Sequence, residues 1–280
     1  MNQRIRRTIQ ILALGLVLLA GGATAETEPD VGTGPPSEQT SAESVLDAAF
    51  VNRYEVDLTT RIDLTIHGRS GQQRHRTLRA VTKVIDNRVH SLGRITSPEH
   101  LRGMTVMMME AENRGHDAFL YLPSLDKVRR ISTSQRGDAF FGTDVTYEDI
   151  EHQTVADFNV AEIEHGTLEG EAVYRIHARP KRRSNYERVV FTIAEKDGAM
   201  LGSAYFKRDA KEPYRVLTAP RSHMIESGGH VLPTRMRDEN IMRGTYTEVA
   251  LHDLRTDEKI DDRIFSIKTL ESRRDLPGAN

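Results

Sequence analysis

The chain has 280 residues, 39 basic and 41 acidic side chains, a formal net charge of −2 and no cysteine. The missing cysteines exclude disulfides, thiol catalysis and thiolate metal sites. A chain that is not basic gives no support to a nucleic-acid partner, so none is expected.

The N-terminus has the pattern of an export signal. Three arginines at positions 4, 6 and 7 precede an apolar run over residues 11–20, and Ala23-Thr24-Ala25 is an A-x-A cleavage site. This predicts a secretory signal peptide over residues 1–25, since the run is too short to span a bilayer. We therefore expect an exported, periplasmic protein. Residues 26–41 are rich in Pro, Gly, Ser and Glu and predict a disordered leader.

One domain is predicted over residues 42–280, beginning with a helix. Ser41 or Ser44 can cap it, and Val45, Leu46 and Phe50 follow a 3.6-residue period. From Tyr54 the period becomes two, with the apolar side chains up to Ile66 on one face.

Further alternating runs follow, separated by turn signals such as Asp86-Asn87 and Lys196-Asp197-Gly198. Together they predict about ten antiparallel strands in meander order. The fold class is thus mainly β with short helices, in a single curled antiparallel sheet. A curled sheet with one apolar face needs helices or a ligand to cover that face.

The stretch FFGTDVTYEDIEH, residues 140–152, interrupts the strands. On a helix Glu148 and His152 would share a face, where they could bind a metal or act as acid and base. The alternative interpretation is structural. Thr146 to Asp149 form a capping box, with Asp144 near the first turn. Phe140, Phe141 and Tyr147 would anchor the helix, and either Arg129 or Arg130 could reach its carboxylates.

No second motif supports an enzyme. The other histidines are scattered, and neither G-x-S-x-G, a P-loop nor G-x-G-x-x-G occurs. We therefore expect no catalytic residue, no metal site and no cofactor. A hydrolase is therefore the least favoured hypothesis for the function.

Residues 118–151, AFLYLPSLDKVRRISTSQRGDAFFGTDVTYEDIE, resemble the signature of the outer-membrane lipoprotein-sorting-like family, the periplasmic proteins related to LolA and LolB. The matching elements are Leu-Tyr-Leu-Pro, Arg-Arg-Ile, Phe-x-Gly-[ST]-Asp and Tyr-Glu-Asp. The matching motif residues include Leu122, Pro123, Arg129, Arg130, Gly142, Asp144, Tyr147, Glu148 and Asp149. This family often has Trp before Leu-Tyr, where the chain has Phe119.

The resemblance implies a half-barrel sheet whose concave face is plugged by helices. It also implies that acyl chains or lipidated proteins bind in the apolar space between sheet and helices, and that an RND-type membrane transporter is a partner. We expect the apolar cavity to be lined by ten residues: Leu58, Ile62, Leu64, Met104, Val106, Met108, Phe119, Tyr121, Phe140 and Phe141. Methionines suit such a surface because thioethers repack around variable apolar ligands. A one-residue slip in register would invert the face of any strand.

Two hypotheses for the function of the protein follow from this resemblance. The first is a non-enzymatic periplasmic carrier of lipid or lipoprotein acyl chains between the inner and outer membranes, acting as a monomer. The second is an adaptor that docks an RND-type transporter. The basic run RPKRRSNYER, residues 179–188, could make transient contact with an anionic membrane surface.

Overall fold

The computed structural model describes residues 41–112, 115–272 and 274–278. The predicted signal peptide and the predicted leader up to residue 40 lie outside these ranges. None of the helices in the described ranges is long and apolar enough to cross a membrane.

Strands dominate the described residues. The first half contains the helices α1 (Ala42–Tyr54) and α2 (Tyr147–Ile150) and the strands β1 (Leu58–His67), β2 (Gln73–Ile85), β3 (Arg88–Ser97), β4 (Thr105–Glu110), β5 (His116–Leu122) and β6 (Lys127–Arg130). The second half contains β7 (Phe158–Leu168), β8 (Glu171–Pro180), β9 (Arg188–Ala194), β10 (Met200–Phe206), β11 (Arg215–Thr218), β12 (Met224–Ser227), β13 (His230–Pro233), β14 (Arg235–Asn240), β15 (Thr245–Arg255) and α3 (Ile267–Glu271).

Thirteen of the described strands form one antiparallel sheet, in the order β6-β5-β4-β3-β2-β1-β15-β14-β11-β10-β9-β8-β7. β12 and β13 form a separate hairpin. The sheet is not closed, since β6 and β7 are its two edges. The expected meander of about ten strands is therefore two meanders, joined where the last strand, β15, pairs with β1.

Helix α1 begins as predicted, because the Ser41 hydroxyl accepts a hydrogen bond from the Ser44 backbone N–H at 3.1 Å. Its buried side chains Leu46, Ala49 and Phe50 pack on β7 to β11. The Phe50 ring lies 5.8 Å from Phe158 and 5.4 Å from Phe191, centroid to centroid. Aromatic burial of this kind fixes the helix on the sheet.

The other face of β2 to β6 is covered by the C-terminal part of the chain. Buried side chains of Val81, Leu92 and Met107 pack there against a group from the end of the chain, which comprises Ile260, Phe265, Leu270 and Leu276. Since alternate residues of a strand face opposite ways, these strands bury both faces.

Candidate functional site

A 27-residue connection, residues 131–157, runs from β6 at one edge of the sheet to β7 at the other. We call it the crossing segment. It carries Phe140, Phe141 and Tyr147, which are buried against the sheet residues Leu64, Leu78, Ile95, Val106, Met108 and Val249. The predicted aromatic anchors are therefore in place. Phe141 (φ 48°) and Gly142 (φ 74°) have left-handed backbones, which turn the chain sharply so that both rings reach the sheet.

Polar contacts also hold the crossing segment to the sheet. Asp144 accepts hydrogen bonds from the hydroxyls of Thr245 and Thr247 on β15, at 2.5 and 3.0 Å. The predicted capping box is present: the Asp149 carboxylate accepts from the Thr146 N–H and hydroxyl, both at 2.7 Å. Asp144 and Asp149 thus tie the segment to the sheet and shape its short helix, as the structural interpretation expected.

The predicted Glu148–His152 pair does not form on a helix, because α2 ends at Ile150. Glu148 accepts a hydrogen bond from Ser184 at 2.9 Å. His152 Nδ1 lies 2.8 Å from Glu110 Oε2 on β4. The two side chains therefore have separate partners, and the helical face on which the acid–base hypothesis depended is absent.

The prediction that Arg129 or Arg130 pairs with the carboxylates of the crossing segment is wrong. Arg130 forms an ion pair with Asp117 beside it at the sheet edge, and Arg129 is exposed. Arg136, within the crossing segment, holds Glu151 instead, with its Nε 2.7 Å from Oε2. Arg215 on β11 holds Asp149, with an N–O distance of 2.5 Å. β6 ends before the segment turns over the sheet, so its arginines stay at the edge.

Between the sheet and the crossing segment lies a cavity of about 250 Å³. Its floor comes from β1 to β4, β11, β14 and β15, and its cover from Phe140, Val145 and Ile150 of the crossing segment and Arg53 of α1. Apolar side chains dominate the floor, among them Ile62, Leu64, Leu78, Val106, Leu217, Met236, Val249 and Leu251. For comparison, a dry apolar cavity of about 150 Å³ in another protein holds a benzene molecule.

The structure separates the ten predicted lining residues into three groups. Ile62, Leu64, Val106 and Phe140 line the cavity. Met104, Met108 and Phe141 belong to the surrounding apolar cluster, without lining it.

The third group differs from the expectation. Phe119 and Tyr121 point to the other face of β5 and pack with the C-terminal residues, because Ala118 and Leu120 take the cavity side. Leu58 is half-buried and belongs to neither apolar cluster. The predicted face of β5 is therefore the wrong one, which is the inversion that a slip of one residue produces.

Charged side chains that the sequence analysis missed lie in the cavity lining, like Asp238, or beside it, like Arg215. Asp238 on β14 is 1% exposed, and its Oδ1 has no hydrogen-bond partner among the described residues. Oδ1 lies 3.5 Å from Nε of Arg215, whose guanidinium also stacks on Tyr205 at 4.1 Å. These residues come from separate strands with no shared motif, so only strand pairing brings them together.

Burial determines how the two aspartates titrate. Desolvation raises the pKa of Asp238 to about 7, although the charge of Arg215 opposes this. Burial also acts to raise the pKa of Asp149, but the charge of Arg215 and the hydrogen bonds from Arg215 and Thr146 hold it below its usual value. One carboxylate of the pair is therefore firmly ionised, while the other changes charge near neutral pH.

A possible metal-ligating group was not anticipated either. Ligand atoms of Glu162, Glu164 and His177, on β7 and β8, lie within 4.8 Å of one another. Both glutamates are exposed, and exposed acidic groups of this kind are common without an ion. Because two of its three ligand side chains are exposed to solvent, we assign this group no role.

The fold defines the class of protein. Three solved structures share it: a DUF1329 family protein from Desulfovibrio piger (21% identity, 82% of this chain, 97% of that chain, TM-score 0.76), a putative outer membrane lipoprotein-sorting protein domain from Vibrio parahaemolyticus (18%, 83%, 100%, 0.75) and a LolA superfamily protein from Nitrosomonas europaea (18%, 81%, 98%, 0.65). At these identities the likeness establishes the fold.

A family model described as "-like: Uncharacterized protein" matches residues 87–272, about two-thirds of the chain. The chain belongs to this family. The resemblance seen in residues 118–151 is confirmed, because a lipoprotein-sorting protein domain and a LolA superfamily protein are among the solved structures that share the fold. A search of curated proteins finds no match.

Proposed function

We propose that the protein is a non-enzymatic periplasmic carrier that holds the acyl chains of a lipid or a lipidated protein between sheet and crossing segment. The observation that supports this most directly is the apolar cavity of about 250 Å³ under Phe140, Val145 and Ile150. Each acyl methylene removed from water contributes about 0.8 kcal/mol. In the half-barrel that we propose, the crossing segment and α1 act as the plug that acyl chains displace.

Native mass spectrometry of the gently purified, exported protein tests the proposal. We expect co-purified acyl species. Val249 lines the cavity and is 8% exposed, so Val249→Phe should fill part of the space and lower the bound fraction. Val51→Phe is the matched control, since Val51 is exposed on α1 and should leave binding unchanged. Equal acyl occupancy in both variants would contradict the assignment of the cavity.

A surface feature favours the adaptor as a second candidate. Ile241 and Met242, in the turn between β14 and β15, are 51% and 71% exposed and are followed by Arg243. Neighbouring exposed apolar side chains are typical of a docking site for a protein partner. In-cell cross-linking from position 242 should capture a membrane transporter if this role holds. Capture at the same yield from the exposed Leu125, at the β5–β6 turn, would speak against it.

A further inference from the structure

Three charged side chains, Arg53, Asp149 and Asp238, interrupt the apolar lining of the cavity. Asp149 is hydrogen-bonded by Arg215, whereas Asp238 has only a longer ion pair with Arg215, at 3.5 Å. Asp238 leaves Oδ1 without a hydrogen-bond partner among the described residues. Arg53, in the last turn of α1, has its Nη1 3.0 Å from the sulfur of Met200 and its guanidinium 5.1 Å from the ring centre of Tyr54. No ion pair of Arg53 occurs within the described ranges. Buried polar groups are normally satisfied, so the Asp238 oxygen is a candidate for a ligand contact. Arg53 is half-buried and lines the same cavity, so its guanidinium is a second candidate.

The charges around the cavity determine which ligand head is favoured. Arg215 is already engaged by Asp149, at 2.5 Å. Asp149 also belongs to the lining and is the residue paired with Arg215. Within the described ranges, that leaves Arg53 as a lining cation without an ion pair and Asp238 as a lining carboxyl whose Oδ1 receives no hydrogen bond. A cationic head at Asp238 would lie near two guanidinium groups. An anionic head pairs with Arg53 and is compatible with Asp238 once that carboxyl carries a proton.

We propose that the Arg53 guanidinium and the Asp238 carboxyl form a head-group site, which makes the preferred ligand of this cavity a single-chain amphiphile with an anionic head. The inference rests on the proposed carrier function and narrows its ligand class. The alkyl chain would lie along the apolar floor, over Leu64 and Val249. The anionic head accepts hydrogen bonds from the Arg53 guanidinium and from the Asp238 carboxylic acid. Charge-assisted hydrogen bonds of this type are the strong ones in a dry site.

Binding of an anion should then be coupled to proton uptake. The groups facing Asp238 are Arg215 on β11, Arg53 on α1, Asp149 on α2 and Asp144 in the crossing segment, with Tyr205 on β10 beside them. An added anion favours the protonated form of Asp238 further. Affinity for the anion should therefore fall as the pH rises above about 7, by about tenfold per pH unit at most for one linked proton.

The test uses three decyl probes at submicellar concentration: decanesulfonate, which is anionic throughout, decanol and decyltrimethylammonium. Binding to the exported full-length protein is measured by titration calorimetry at pH 6 and pH 8. We expect the order sulfonate, then decanol, then ammonium at pH 6. Arg53→Gln should weaken sulfonate binding by about tenfold or more and weaken decanol binding much less. An unchanged far-UV circular dichroism spectrum reports that the variant is folded. Arg129→Gln, at the exposed sheet edge, is the matched control.

Asp238→Asn provides the second variant. It mimics the protonated acid, so it should bind the sulfonate at pH 8 as tightly as at pH 6, unlike the parent protein. Equal affinity of the parent for sulfonate and decanol, preference for the ammonium probe, or no effect of Arg53→Gln would overturn the head-group site while leaving the carrier function standing. If decanol fails to bind as well, the carrier function itself fails.

Discussion

Individual buried charges dominate the chemistry of this protein at the scale of residues. Arg215, Asp149 and Asp238 are all nearly inaccessible to solvent, yet they lie beside an apolar cavity. Removing one partner from a buried ion pair costs about 3–5 kcal/mol, because the other charge is left uncompensated. Arg215 lies beside two carboxylates but donates a hydrogen bond only to Asp149. The free-energy cost of removing the Asp238 charge from water is therefore only partly offset.

Asp238→Asn should stabilise the protein, and more so as the pH rises. Asp238 has a pKa of about 7 in the folded state, against 3.8 as its ordinary value. Between these two pH values the folded state holds a proton that the unfolded state releases, so this residue makes stability fall as the pH rises from about 4 to about 7. The asparagine removes that dependence.

Denaturant unfolding of parent and variant across this pH range measures the effect. The difference in the free energy of unfolding should grow up to about pH 7 and then level off. Asp257→Asn, an exposed site, should show no such trend. A constant difference at all pH values would mean that Asp238 titrates normally in the fold.

Two elements cover the apolar face of the sheet, and each is held in place by different contacts. The crossing segment depends on Phe140, Phe141 and Tyr147 together with the hydrogen bonds of Asp144 and Asp149 to neighbouring groups. Helix α1 depends on apolar contacts with β7 to β11, centred on Phe50. The crossing segment has hydrogen bonds that can be exchanged for others, in addition to its aromatic contacts, so it is the part that we expect to move when an acyl chain enters.

Phe50→Ala should destabilise the protein by about 3–5 kcal/mol, because it empties the space between Phe158 and Phe191. Val51→Ala, one residue along the same helix but 40% exposed, should cost less than about 0.5 kcal/mol. Urea unfolding followed by circular dichroism measures both. Similar costs for the two variants would mean that α1 is not held through Phe50.

At the scale of the whole molecule, the sheet is covered on two faces by parts of the chain far apart in sequence. Residues 131–157 and α1 cover the cavity face. Residues 260–272 and 274–276 cover the other face of β2 to β6, through Phe265, Leu270 and Leu276. The C-terminal cover anchors to the sheet by polar contacts as well, since Arg94 donates to the carbonyl of Thr269 at 2.5 Å.

Leu270→Ala should cost about 2–5 kcal/mol, because its side chain is fully buried against the outer face of the sheet. Ile267→Ala is the matched control on the same short helix, where the side chain is 41% exposed. Thermal unfolding by calorimetry should show a clear fall in melting temperature for the first variant alone. Binding of decanol should survive in both, because neither residue lines the cavity.

Local patterns in the sequence predicted the elements well. Alternation identified β1, the serine cap identified the start of α1, and the capping box identified α2. The same alternation placed Met104, Val106 and Met108 on one face, as the structure has them. These features depend on neighbours within a few residues, so a single sequence contains the information.

The sequence by itself determined that this is a mainly antiparallel β protein with a helix at its start and a family motif in residues 118–151. Only the tertiary structure decided which strands pair, that β15 joins β1, and which face of β5 meets the cavity. It alone brought Arg53, Arg215 and Asp238 to one place from α1, β11 and β14. The physical reason is that pairing register and long-range charge contacts depend on residues far apart along the chain, and local periodicity contains no record of them.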